Sequence, residues 1–151
     1  MQPTPPYGEM PPFHDLDLPR PDEMARPVMV IDDSVTIRAV VDAGLRRAGY
    51  RVSAYADGLA AMGALARGEV EVPDLVLVDL DLPRMDGYEV TRILRGKPEF
   101  AGTHFIILTC YDGAWNRLRA RLAGATEFIV KPFHMAYLVA TVRRYVRAVW
   151  S

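Results

Sequence analysis

Leu75-Val76-Leu77-Val78-Asp79 is a short apolar run that ends on a carboxylate. The run is continuous instead of alternating, which predicts a strand buried on both faces. Three more runs share the form. Val28-Met29-Val30-Ile31 is followed by Asp32-Asp33, Phe105-Ile106-Ile107-Leu108 by Thr109, and Glu127-Phe128-Ile129-Val130 by Lys131-Pro132. Four polar stations, each just past a strand-like run, point to one site that handles phosphate.

The segments between these runs read as helices. Ser34 is a candidate N-cap, and Ile37, Val40, Val41, Gly44, Leu45 and Ala48 recur every three or four residues until Gly49 closes the helix. A further strand fits residues 51–55. A second helix fits residues 59–67, opened by Asp57 and stopped by Gly68. The third fits residues 88–95, and the fourth 113–123 with Asp112 as cap and Gly124 as stop. The last spans residues 134–149. Five β-α units in succession require crossover connections between parallel strands. The expected fold class is therefore α/β, a three-layer sandwich. In open parallel sheets ligands bind beyond the carboxyl ends of the strands, so Asp32, Asp33, Asp79, Thr109 and Lys131 would share one rim.

A chain of 151 residues, half of them hydrophobic, suffices for one core. Residues 1–27 hold eight of the twelve prolines without helical or alternating pattern. Residues 1–26 are accordingly expected to be an extended or disordered extension, and residues 27–149 the single domain. The first 27 residues carry a net charge of −3 and the remainder +2, too weak a split to imply nucleic acid. With one cysteine, Cys110, no intrachain disulfide forms. Neither a leader-like start nor an apolar run near 18 residues is present, so no membrane partner and a cytoplasmic location are expected.

Three carboxylates on one rim repel and raise one another's pKa unless a cation neutralises them. Magnesium suits the place, because it takes oxygen ligands and uses only one or two protein carboxylates, leaving positions for water and phosphate. Asp33 and Asp79 are the expected direct ligands. Asp32 would act directly or through water, and the backbone carbonyl of Asp81 would complete the shell. A carboxylate is also a nucleophile: a phosphoryl group arriving in line on Asp79 gives an aspartyl phosphate if its oxygens are neutralised. Lys131 supplies part of that charge. The Thr109 hydroxyl, at a strand end, is placed to respond once phosphate has arrived.

These residues resemble, over 27–148, the receiver domain of bacterial two-component response regulators. The likeness rests on Asp32-Asp33 after the first strand, Asp79 followed by Leu82-Pro83-Arg84-Met85-Asp86-Gly87, Thr109, and Lys131-Pro132-Phe133. Each motif is weak alone; in order, each at its own strand end, they are specific. The resemblance implies a doubly wound, flavodoxin-like sheet in the order 2-1-3-4-5 and magnesium-dependent transfer of phosphate to Asp79 from a sensor histidine kinase or phosphotransfer protein. It further implies a cis peptide before Pro132 and a switch in which Thr109 moves and Phe128 swings inward. The implied output is a protein partner on the face of the fourth helix, fifth strand and fifth helix, with a homodimer on phosphorylation as a further possibility. Phe128 lacks the hydroxyl that tyrosine would offer there, and Cys110 is larger than the residue usual after the switch hydroxyl. Tyr111-Asp112-Gly113, Arg121 and Gly124 are similar to receivers of twitching-motility pathways.

Other readings are weaker. Asp79-Leu80-Asp81 resembles a haloacid-dehalogenase-like phosphatase nucleophile, but the acidic pair lies upstream of it and no cap-sized insertion is present. A calcium loop starting at Asp79 would have Arg84 where glycine belongs and Val90 where glutamate belongs. His14, His104 and His134 share no zinc spacing with Cys110. The arginines of the last two helices fit a solvated face at least as well as a docking surface. The chain also fits a receiver piece of a larger regulator or hybrid kinase.

Overall fold

The computed structural model describes residues 21–149. Most of the expected extension thus lies outside the described residues. Order begins inside its last part: Pro21–Met24 is a one-turn helix, Ala25 is buried, and the first strand starts at Pro27. The Arg26 carbonyl accepts from the Arg51 N–H at 3.0 Å, and the Pro27 carbonyl accepts from Asp74 at 2.9 Å. Proline is admissible as the first residue of a strand.

Five strands form one parallel sheet: β1 (Pro27–Ile31), β2 (Arg51–Tyr55), β3 (Leu75–Asp79), β4 (His104–Thr109) and β5 (Glu127–Val130). Their order is β2-β1-β3-β4-β5, as expected. Helices α1 (Val35–Arg47), α2 (Gly58–Ala66), α3 (Gly87–Arg95), α4 (Ala114–Ala123) and α5 (Met135–Tyr145) connect and follow them. Alternate strand residues divide into two cores. Met29, Ile31, Val76, Val78, Phe105 and Ile107 face α2, α3 and α4. Val28, Val30, Leu75, Leu77, Ile106 and Leu108 face α1 and α5. The central strands are apolar throughout because both faces are covered.

The N-caps expected at Ser34 and Asp57 follow from sequence. Ser34 accepts from the Ile37 N–H at 3.2 Å and Asp57 from Ala60 at 2.8 Å. Gly49, Gly68 and Gly124 have positive φ at the helix ends. Asp112, however, does not cap α4: Gly113 is the N-cap, and the Asp112 carboxylate instead accepts from Arg117. The last helix is shorter than residues 134–149, ending at Tyr145. The Tyr50 hydroxyl donates to the Val146 carbonyl at 2.6 Å, and the extended chain beyond buries Val146 and Ala148 against the α1 side. Burial of two apolar residues outside the helix wins over continued helical periodicity.

Helix α3 opens one residue earlier than its periodicity suggests, at Gly87, capped by Asp86, whose carboxylate accepts from Glu89 at 2.9 Å. A Cβ at Gly87 would lie 2.5 Å from the Asp79 carbonyl oxygen and 2.9 Å from Leu80 Cα. These contacts are backbone, so the strand end bearing Asp79 would have to shift. Gly87→Ala is expected to cost about 2 kcal/mol, the scale of overpacking. Gly102→Ala, where an added Cβ meets nothing within 4 Å, should be neutral to about 0.5 kcal/mol in the same urea unfolding series.

Candidate phosphoryl site at the sheet rim

Adjacent placement of β1 and β3 determines the site. Their carboxyl ends put Asp32 beside Asp79, and both side chains are buried. Asp33, next in the chain, is exposed. One carboxylate oxygen from each of the three lies within 4.8 Å of the others. Lys131 follows β5 after a chain separation of 99 residues from Asp32, and its ammonium is 3.0 Å from Asp32 Oδ2 and 3.2 Å from Asp79 Oδ1. The peptide before Pro132 is cis, as expected.

The surroundings orient these groups. The Ser34 N–H donates to Asp32 Oδ1 at 2.9 Å, and Arg38 Nη1 donates to the Asp32 carbonyl at 2.6 Å. Neither contact follows from spotting the acidic pair, although Ser34 as helix cap places its N–H next to the site. Burial is the main force raising the Asp79 pKa, and the Asp32 charge adds to it; Lys131 and the Asp81 N–H oppose without prevailing. Burial alone would lower the Lys131 pKa, but its hydrogen bond to Asp32 and the charges of Asp79 and Asp32 outweigh that and hold it above the ordinary lysine value. Lys131 therefore stays an ammonium throughout the neutral range.

Thr109 ends β4, fully buried. Its hydroxyl accepts from the Tyr111 N–H at 3.0 Å, and its carbonyl accepts from the Lys131 N–H at 2.7 Å. Phe128 is already packed in the core, with the Arg117 guanidinium 5.2 Å above its ring. Asp81 lies in the exposed loop after β3, three residues before Arg84, which has a left-handed φ of 68°. The rim thus brings together Asp32, Asp33, Asp79 and Lys131. Thr109 sits one strand beyond Asp79, and Phe128 lies on β5, the strand that leads to Lys131.

Three carboxylates against one ammonium leave two negative charges without a partner in the cluster. A hard divalent cation with oxygen ligands balances that excess, so the donor set fits magnesium.

Comparison with known proteins agrees with this geometry. Residues 28–143 match the model of the response regulator receiver domain. The chain belongs to this family. Among relatives, the receiver is 32% identical over 119 residues to Protein PilG of Pseudomonas aeruginosa, covering 79% of this chain and 86% of that one. Four further curated relatives are longer, the chain spanning 15% to 48% of their length. The solved chemotaxis protein CheY4 of Vibrio cholerae superposes with a TM-score of 0.74 at 31% identity, over 81% of this chain and 99% of that one. The receiver domain of sensor histidine kinase PA1611 from Pseudomonas aeruginosa superposes with a TM-score of 0.69 at 30% identity, over 84% of this chain and 99% of that one. That structure has a magnesium ion coordinated in its active site cleft. The haloacid-dehalogenase alternative finds no support.

A raised Asp79 pKa means that the folded receiver binds this proton more tightly than the unfolded chain does. Stability linked to the group is full below the ordinary carboxylate range and is lost as pH rises through the folded-state value. Asp79→Asn should therefore stabilise the metal-free receiver at pH 7, by about 1 kcal/mol. The gain should fade as pH falls through the raised folded-state value and be gone below the ordinary carboxylate range, where the unfolded chain is protonated as well. Urea unfolding in chelator at pH 7 and below that range measures this; a variant less stable than the parent at pH 7 contradicts it.

Proposed function

We propose that the receiver accepts a phosphoryl group on Asp79 and signals by a change of shape at a distant face. The observation that carries this reading is the convergence of the Lys131 ammonium on Asp32 and Asp79, with Asp33 completing an oxygen cluster. Asp33 and Asp79, with Asp32 and the Asp81 carbonyl, would hold magnesium, which when bound neutralises phosphoryl oxygens. In the transfer step an ionised Asp79 oxygen bonds to phosphorus as the phosphorus–nitrogen bond of a donor phosphohistidine breaks, and the departing imidazole nitrogen takes a proton from solvent. Lys131, freed from its pairing with Asp79, meets a phosphoryl oxygen. Thr109 then exchanges its Tyr111 partner for the phosphoryl group, and the region around Phe128 repacks.

The donor class is a sensor histidine kinase or phosphotransfer protein. The output is a protein that binds the α4-β5-α5 face, and phosphorylation could also bring two copies together. Residues 27–149 are the receiver domain, and a cytoplasmic location fits the absence, among the described residues, of any helix long and apolar enough to cross a membrane. The chemistry is that of a phosphoacceptor with its own phosphorylation and hydrolysis. A twitching-motility pathway is suggested by Tyr111-Asp112-Gly113, Arg121 and Gly124. The greater length of several relatives supports a second reading, a receiver unit within a larger regulator or hybrid kinase.

Acetyl phosphate with magnesium should add one acid-stable, alkali-labile phosphoryl group, as mass spectrometry reads it. Chelator or Asp79→Asn should abolish the addition; labelling that survives in the variant would exclude Asp79 as acceptor. Lys131→Ala should keep the fold, because no core residue is lost, but lose about 2 kcal/mol in chelator through the uncompensated buried acids. It should also uncouple phosphorylation from changes in the Phe128 ring signals by NMR. Global unfolding of that variant in magnesium would assign Lys131 a structural role instead.

A further inference from the structure

Arg84 is strained where it stands. It is the one non-glycine residue with a left-handed backbone among the described residues, at φ 68°, and the Met85 N–H donates across it to the Pro83 carbonyl at 2.8 Å. A three-residue turn of this hand is rare, and it costs a residue with a side chain free energy that glycine would avoid. The neighbours explain the turn but not the arginine. Leu80, Leu82 and Met85 fix the loop by packing on the core, and the Gly87 N–H closes it on the Leu80 carbonyl at 2.9 Å. Arg84 itself is exposed, and among the described residues no carboxylate pairs with its guanidinium. Strain kept at an exposed position, with no packing gained in return, points to use of the side chain.

Its place suggests which use. Gly87 lies against the strand end that bears Asp79, since a Cβ built on it would sit 2.5 Å from the Asp79 carbonyl oxygen. Arg84 is three residues earlier, so its backbone is within about 11 Å of Gly87. This end of the sheet is acidic, with Asp32, Asp33 and Asp79 in the rim cluster and Asp81 and Asp86 exposed in the loop. A cation held by the cluster leaves the Asp81 and Asp86 carboxylates uncovered. The nearby cations are committed, Lys131 to Asp32 and Asp79, and Arg38 to the Asp32 carbonyl. A phosphoryl donor is itself an anion, and carboxylates on its path repel a dianion most. We propose that Arg84 selects phosphoryl donors by charge, capturing a dianionic phosphoryl group at the mouth of the rim. Selection among donors rests on the acceptor role proposed above for Asp79; capture of the dianion does not.

The test compares the intact chain with Arg84→Gln, Arg84→Gly and Arg84→Lys in magnesium at low ionic strength. The donors are acetyl phosphate, a dianion at neutral pH, and phosphoramidate, a monoanion. Arg84→Gln and Arg84→Gly should lower the second-order rate constant of labelling about fivefold with acetyl phosphate and less than about twofold with phosphoramidate, the scale of Coulomb attraction in water between a cation and a dianion several Å away. Arg84→Lys should stay near the parent, and about 0.5 M salt should close the gap. A urea midpoint for Arg84→Gly at or above that of the parent verifies the fold, whereas a merely structural role of Arg84 predicts equal losses with both donors. Acetonylphosphonate, an unreactive dianion titrated by NMR, gives a reading independent of transfer, with affinity about fivefold weaker in Arg84→Gln. If the parent takes no label from either donor, the acceptor role of Asp79 fails and acetonylphosphonate alone decides for Arg84. Equal losses with both donors overturn the proposal, as does a parent that binds acetonylphosphonate no better than Arg84→Gln.

Discussion

Two carboxylates, Asp32 and Asp79, are buried side by side because β1 and β3 are hydrogen-bonded neighbours, and a single ammonium faces both. In water such an arrangement would relax by separation. Here the strands cannot part, since each is covered on both faces by apolar packing. The excess charge therefore persists, kept in place by the cores, and its oxygen donors fit a divalent cation. Asp79 is held at an elevated pKa by burial and by Asp32, so in the metal-free fold it is a carboxylate short of compensation.

The same constraint connects the rim to the rest of the molecule. Lys131 is joined through its backbone N–H to the Thr109 carbonyl, and the Thr109 hydroxyl holds the Tyr111 N–H at the start of the loop leading to α4. Asp112 in that loop holds Arg117, which covers Phe128. In the proposed switch a change in charge at Asp79 would act on this chain of contacts, which ends at α4, the helix with the largest exposed apolar side chains. Phe128, without a hydroxyl to hydrate, is inward in this structure, so the proposed coupling would act through the loop and Arg117 more than through rotation of the ring alone.

Much of this was legible in the residues. Strands buried on both faces appear as continuous apolar runs, and the polar residue that ends each run is necessarily at the rim. Ser34, Asp57 and the glycines at 49, 68 and 124 act locally, within a turn of the helix they bound, and local signals are what a sequence displays. The failures came from contacts distant in sequence or from competing local partners. Val146 and Ala148 continue the helical period of α5, but the Tyr50 hydroxyl, 96 residues away, takes the Val146 carbonyl and the chain leaves the helix. Asp112 stands where a cap belongs, but Arg117 offers it a charged partner. Periodicity alone does not say which face of α4 turns inward; close packing beside α3 selects the alanines, Ala120 and Ala123.

The central claim is that the rim carries uncompensated negative charge that one divalent cation completes. Thermal unfolding of the intact chain across a magnesium titration tests it most directly, since a ligand bound only by the folded state raises stability with the logarithm of its concentration. The account predicts a midpoint that climbs with magnesium in the parent, climbs far less in Asp33→Asn, and is nearly flat in Asp79→Asn. A parent midpoint indifferent to magnesium, or one that climbs equally in all three proteins, would contradict it.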